Sequence, residues 1–169
     1  MPKSLLFFLS IILLAVLQTS FLPSLGPAGK VNLIFIGLAF LSVINYPAAI
    51  KWAFVGGLLL DLNSVFPFGT ITLILLAVAA EINFLFRNFF TNRSLYSLSA
   101  LILFGFLTYN LGLAALSCAF YWLKIGNFRP AIGQNYFLDL PWQLAANLAF
   151  AGLAYFALAR TKFSERFFR

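Results

Sequence analysis

After Lys3 the chain runs from Leu5 through Leu22 without a charged side chain, and five more apolar segments follow, most of them closed by proline, glycine or a polar cluster. This pattern constrains the fold more than any other feature. A helix of roughly 20 apolar residues crosses the hydrocarbon core of a bilayer, where every backbone polar group must be satisfied within the protein. Of the 169 residues 63% are apolar and 9% charged, against about 25% charged in soluble domains. Eleven basic and four acidic side chains cannot furnish the polar shell of a soluble globule. The composition excludes a disordered chain, a disulfide scaffold and a water-exposed enzyme. It predicts an all-α polytopic membrane protein, a single transmembrane domain over residues 1–169 with six spanning helices.

The breakers set the expected boundaries at about 4–22, 31–46, 48–66, 70–90, 95–123 and 141–159. Pro23 and Pro27 close the first segment, Asn45-Tyr46-Pro47 the second, and Pro67-Phe68-Gly69 the third, because proline biases the residue before it away from the helix. The first segment resembles a secretory signal, but it continues through Phe21 and Leu22 with no small-x-small cleavage site, so it reads as an uncleaved spanning helix. Placing the N-terminus inside puts eight basic residues on the cytoplasmic side (Lys3, Lys51, Arg87, Arg93, Arg160, Lys162, Arg166, Arg169) and three outside (Lys30, Lys124, Arg129). That bias fits the positive-inside rule and both termini in the cytoplasm. Fusing segments two and three would break the asymmetry. The positive balance is therefore a topology signal, and nucleic acid is not an expected partner.

Ionisable groups inside a membrane are costly and are functional suspects. Two fall within the segments. Asp61 lies near the outer end of the third, and Glu81 about 10 Å from the inner end of the fourth. That difference in depth argues against a carboxylate pair sharing a proton. Asp61 reads as a cap for a neighbouring helix or a group at interfacial water, Glu81 as a buried acid bonded to Asn83, a serine or a partner. Gln18, Asn110 and Asn147 lie at one expected depth, where amides can hydrogen-bond between helices or converge on a ligand. Ala115 with Ala119 and Ala145 with Ala149 have helix-contact spacing, and Trp52, Trp122 and Trp142 fall at segment ends, as interfacial anchors do.

Other chemistry finds no support. There is no histidine, and Cys118 stands alone, so metal sites, other cofactors and Ser-His-Asp catalysis are not expected, and the chain reads as a non-enzyme. Gly26-Pro-Ala-Gly29-Lys30 fails as a phosphate loop because Ser24 and Val31 occupy the required glycine and hydroxyl positions. Asn92-Arg93-Ser94 is a chance glycosylation triplet on a cytoplasmic loop. The tail from Lys162 to Arg169 suits a basic anchor on anionic lipid.

The stretch Val55-Gly56-Gly57-Leu58-Leu59-Leu60-Asp61, followed by Pro67-Phe68-Gly69-Thr70 and a further apolar segment, resembles the bacterial rod-shape-determining MreD family. The first segment, ending in Gln18-Thr19-Ser20, also resembles the family's, although Val31-Asn32 stands where the family often shows a proline and an acidic residue. The resemblance implies a non-catalytic scaffold of the cell-elongation machinery in the bacterial inner membrane. It would bind MreC and, through it, the peptidoglycan synthases RodA and a class B penicillin-binding protein, beside MreB filaments. Gly56, Gly57, Asp61, Pro67, Gly69 and Gln18 are then the partner-binding or structural positions. A small six-helix protein is also similar to the substrate-binding subunit of an energy-coupling-factor vitamin transporter, which would need an outward pocket built from Asp61, Gln18, Asn110 and Asn147.

Overall fold

The computed structural model describes residues 3–24, 29, 31–90, 94–124 and 134–159. It is all-α. Among the described residues six α-helices follow in order: α1 (Lys3–Val16), α2 (Leu33–Ile44), α3 (Tyr46–Asp61), α4 (Thr70–Asn88), α5 (Leu95–Trp122) and α6 (Gln134–Ala159). A π-helical turn, Leu17–Phe21, prolongs α1. Among the described residues three stretches, Leu5–Ser24, Thr70–Asn88 and Leu95–Trp122, are long and apolar enough to cross a membrane. With 12 residues, α2 reaches only about 18 Å at 1.5 Å per residue.

Several boundaries differ from those expected. The break between α2 and α3 is the single residue Asn45, in extended conformation, whose side chain accepts from the Ala48 N–H. Tyr46 therefore opens α3, because a proline is tolerated at the first helical turn. The third helix ends at Asp61 instead of continuing to Phe66. Beyond it the Asn63 and Ser64 N–H groups turn back onto the Leu60 and Asp61 carbonyls. The sixth helix begins at Gln134 and carries Pro141 inside. The ring deprives the helix of one hydrogen bond, and neighbouring helices make such a site tolerable within a bundle.

Glycines set how closely the helices pack. Pairs Ile34–Gly56 and Gly37–Trp52 are in contact, so α2 and α3 form an antiparallel hairpin about Asn45. A Cβ on Gly37 would stand 2.6 Å from the Trp52 ring, and one on Gly57 only 2.5 Å from the Thr72 Cα. The second clash is with backbone of α4, which cannot yield as a side chain can. On the other side of α4, Gly105 meets Val78 and Ile82 while Gly112 meets Ile74, an antiparallel pairing with α5. The core runs through this stack, with Phe35, Leu38, Leu75, Val78, Ile82, Leu101 and Ile102 almost fully buried.

Two packing expectations are corrected. Trp52 is not an interfacial anchor: it is 6% exposed, and its indole N–H donates to the Ile34 carbonyl at 2.9 Å. Gly37 leaves the room that admits the ring. Trp122 and Trp142 are indeed exposed, at 83% and 68%. The alanine pairs do not form the close approaches. Ala115, Ala145 and Ala149 face outward, and the glycines make those contacts instead.

Candidate functional site

The positions singled out around Asp61 form one physical unit. Gly69 takes a left-handed conformation (φ 93°) at the N-terminus of α4 and offers no side chain to cap it. The first N–H groups of a helix have no partner within it, and here α3 supplies one. The Ile71 N–H donates to Oδ1 of Asp61 at 2.8 Å. Oδ2 accepts from the Thr72 N–H at 3.1 Å and from the Thr72 hydroxyl at 2.6 Å. The carboxyl group is buried, at 4% exposure. A carboxylate at a helix N-terminus also opposes the positive end of the helix dipole. Pro67 completes the turn, its carbonyl accepting from the Thr70 hydroxyl and the Thr70 N–H. Gly56 and Gly57 bring α3 close enough to α2 and α4 for this geometry. Asp61 is thus a cap delivered from a neighbouring helix, one of the two roles its position suggested.

Glu81 lies ten residues beyond Ile71, about 15 Å along α4, and does not approach Asp61. It is half-buried, and its Oε2 has no hydrogen-bond partner. The bond expected to Asn83 or a serine is therefore not made by that oxygen. Positions two apart, such as 81 and 83, do not face each other on a helix.

Gln18, Asn110 and Asn147 do come together, around the start of α2. That helix begins inside the bundle. Asn32 caps it by accepting from the Phe35 N–H at 2.9 Å. Two more of its orphan donors are met by other helices: Ile34 N–H donates to Oε1 of Gln18, and Asn32 N–H to Oδ1 of Asn147. Asn147, 1% exposed, also donates to the Gln143 carbonyl at 2.7 Å. Asn110 donates to the Phe106 carbonyl and accepts from the Tyr136 hydroxyl at 2.9 Å. These amides line a cavity of about 480 Å³, together with Tyr109, Asp139 and Gln143. The volume falls within the roughly 300–1,000 Å³ of small-molecule sites. Asp61 is not part of it.

Several residues here escaped the sequence reading, and two signals pointed to them. Asn32 directly precedes an apolar run, the signature of an N-cap. Tyr136, Asp139, Gln143 and Asn147 recur at the three- and four-residue spacing of one helix face, which the expected start of the helix at Pro141 concealed. Gly26, Arg93 and the tail from Lys162 to Arg169 lie outside the described residues. Among the described residues no group of three or more metal-ligating side chains occurs. Comparisons with protein-family models, curated proteins and solved structures found no match.

Proposed function

We propose that the chain is a non-catalytic scaffold embedded in the bacterial inner membrane, of the MreD type, which binds the single-pass protein MreC. Through MreC it would hold RodA and a class B penicillin-binding protein near MreB filaments. In this reading all six helices lie in lipid, with both termini cytoplasmic, where eight of the eleven basic residues then fall. The observation that carries it is the unit formed by Gly56, Gly57, Asp61, Pro67 and Gly69. The residues that resemble the family lock α2, α3 and α4 together, as a rigid scaffold requires. A second support is the internal capping of α2. With its first N–H groups met by Gln18, Asn32 and Asn147, a short helix can begin below the membrane surface without exposing polar backbone to lipid.

The cavity favours a second reading, a substrate-binding membrane subunit of a transporter, because Gln18, Asn110 and Asn147 converge there. Affinity purification in mild detergent, followed by mass spectrometry, separates the two. The scaffold predicts MreC in the eluate at near-equal amounts. Recovery of a cytoplasmic ATPase with its coupling protein, and no MreC, would overturn it.

A further inference from the structure

We propose that the outer edge of α4, centred on Glu81, docks a membrane-spanning helix of another protein that carries a Lys or Arg at matching depth. The inference goes beyond the scaffold reading. It needs α4 to lie in lipid, which its length and apolarity allow, and does not depend on the partner being MreC.

Glu81 is an acid the fold does not use. Its Oε2 is shielded yet has no hydrogen-bond partner, and the side chain forms no ion pair with described residues. The hydroxyls of Ser42 and Ser97 are also without partners, but those residues are 3% and 6% exposed, out of reach of another chain. Glu81 is only half-buried, and its place on the helix explains why. Ile74, seven residues earlier, packs on Gly112 of α5, as Val78 and Ile82 do on Gly105. Ala77, four residues earlier, belongs with Leu73, Ala80 and Phe84 to the exposed stripe of α4. Positions four and seven apart share a helix face, so Glu81 stands on the boundary between the α5 contact and the outward side.

Its depth sets what must meet it. Seven residues separate Glu81 from Asn88, the last residue of α4, about 10 Å along the axis. In a spanning helix the carboxyl group then faces hydrocarbon, where ionisable groups are costly and pair with other polar groups. Acyl chains carry no donor. Arg87 is the one base on α4, but six residues turn it about 120° away around the helix.

The chemistry of the pairing selects the occupant. A carboxylate is met most strongly by a charged donor, and bidentately by a guanidinium. In the proposed orientation this half of α4 is the cytoplasmic half, the side on which membrane proteins concentrate Lys and Arg. The long stems of those side chains let the charged head shift along the helix, so a base a turn or two inside a partner's cytoplasmic end reaches Glu81. Ala77 and Ala80 beside it let another helix approach closely. Leu73 and Phe84, 61% and 59% exposed, extend the contact with apolar surface on either side.

The test places the full chain in phosphatidylcholine vesicles with a synthetic Leu-Ala host helix of roughly 20 residues, carrying one Arg about 10 Å from one end. A second peptide has Leu at that position. Association is read by Förster transfer between a dye on the peptide and one at the end of the chain. We expect the Arg peptide to associate about tenfold more tightly than the Leu peptide. Glu81→Leu should abolish that advantage and Glu81→Gln, which keeps the shape and loses the charge, should reduce it. The thermal midpoint should stay unchanged in both variants. The proposal fails if the two peptides associate equally, or if the advantage survives Glu81→Leu. It also fails if Glu81→Leu lowers the midpoint, which makes the acid part of the fold, or abolishes self-association of the chain, which makes a second copy the occupant. No MreC enters this experiment, so its failure and that of the scaffold reading are separate results.

Discussion

Replacing Asp61 with alanine isolates the cap that α3 supplies to α4. The substitution removes one carboxyl group and strands three donors, the Ile71 N–H, the Thr72 N–H and the Thr72 hydroxyl. Loss of an ordinary N-cap costs about 0.5–2 kcal/mol, and each buried donor left unpaired about 1–3 kcal/mol. The hydroxyl can turn toward another acceptor, and part of the backbone cost is relieved by relaxation. The expected loss is therefore about 3–5 kcal/mol, a large share of the total for a domain of this size. Asp61→Asn keeps one acceptor oxygen and should cost less, about 1–2 kcal/mol. Thr72→Val removes only the hydroxyl's bond, so combining it with Asp61→Ala should cost less than the sum of the two. The assay is reversible unfolding in mixed micelles of increasing SDS fraction, followed by circular dichroism at 222 nm. A change in Asp61→Ala below about 0.5 kcal/mol, the range of a neutral surface substitution, would refute the capping role. Because the carboxyl group is buried at the junction of α3 and α4, stability is the property that Asp61→Ala should change first.

Gly57→Ala should destabilise by about 1–3 kcal/mol, more than Gly56→Ala, because the first clash is with the Thr72 backbone and the second with a methyl of Ile34; the same SDS titration ranks them. Gln18→Leu leaves the Ile34 N–H without its partner and should cost about 1–3 kcal/mol, with hydrogen exchange in micelles fastest at the start of α2. Trp52→Phe keeps most of the ring but loses the bond to the Ile34 carbonyl, so it should cost about 1 kcal/mol. The tryptophan fluorescence lost with it should be the component least quenched by acrylamide.

Much of the fold was legible because lipid-type helices declare themselves by apolar length and by their breakers. Asn45 and the Pro67–Gly69 turn separate helices as their residue types require, and the placement of Asp61 just before that turn made capping of the next helix a natural role. What stayed hidden depended on contacts between segments. Trp52 looks like an anchor until Gly37, fifteen residues earlier in the chain, is seen to make room for it. Pro141 looks like a helix start because proline favours first turns, yet packing carries it inside α6 and so hides the polar face from Tyr136 to Asn147. The alanine pairs had the right spacing for helix contact but the wrong face, since spacing alone does not say which side of a helix meets its neighbour. At the cavity, the shared depth of Gln18, Asn110 and Asn147 was readable from helix rise. Their common focus on the start of α2 was not, because it follows from α2 beginning within the bundle.

In the proposed scaffold six helices, not only the three long apolar ones, traverse the membrane. An even number of crossings puts both termini on one side, whereas three crossings put them on opposite sides. The most direct measurement labels Ser4→Cys and Ser164→Cys, each in a Cys118→Ser background, with a membrane-impermeant maleimide in intact bacteria whose outer membrane has been made permeable. With six crossings and both termini cytoplasmic, neither position reacts until the inner membrane is opened. Labelling of one terminus alone in intact cells would contradict it.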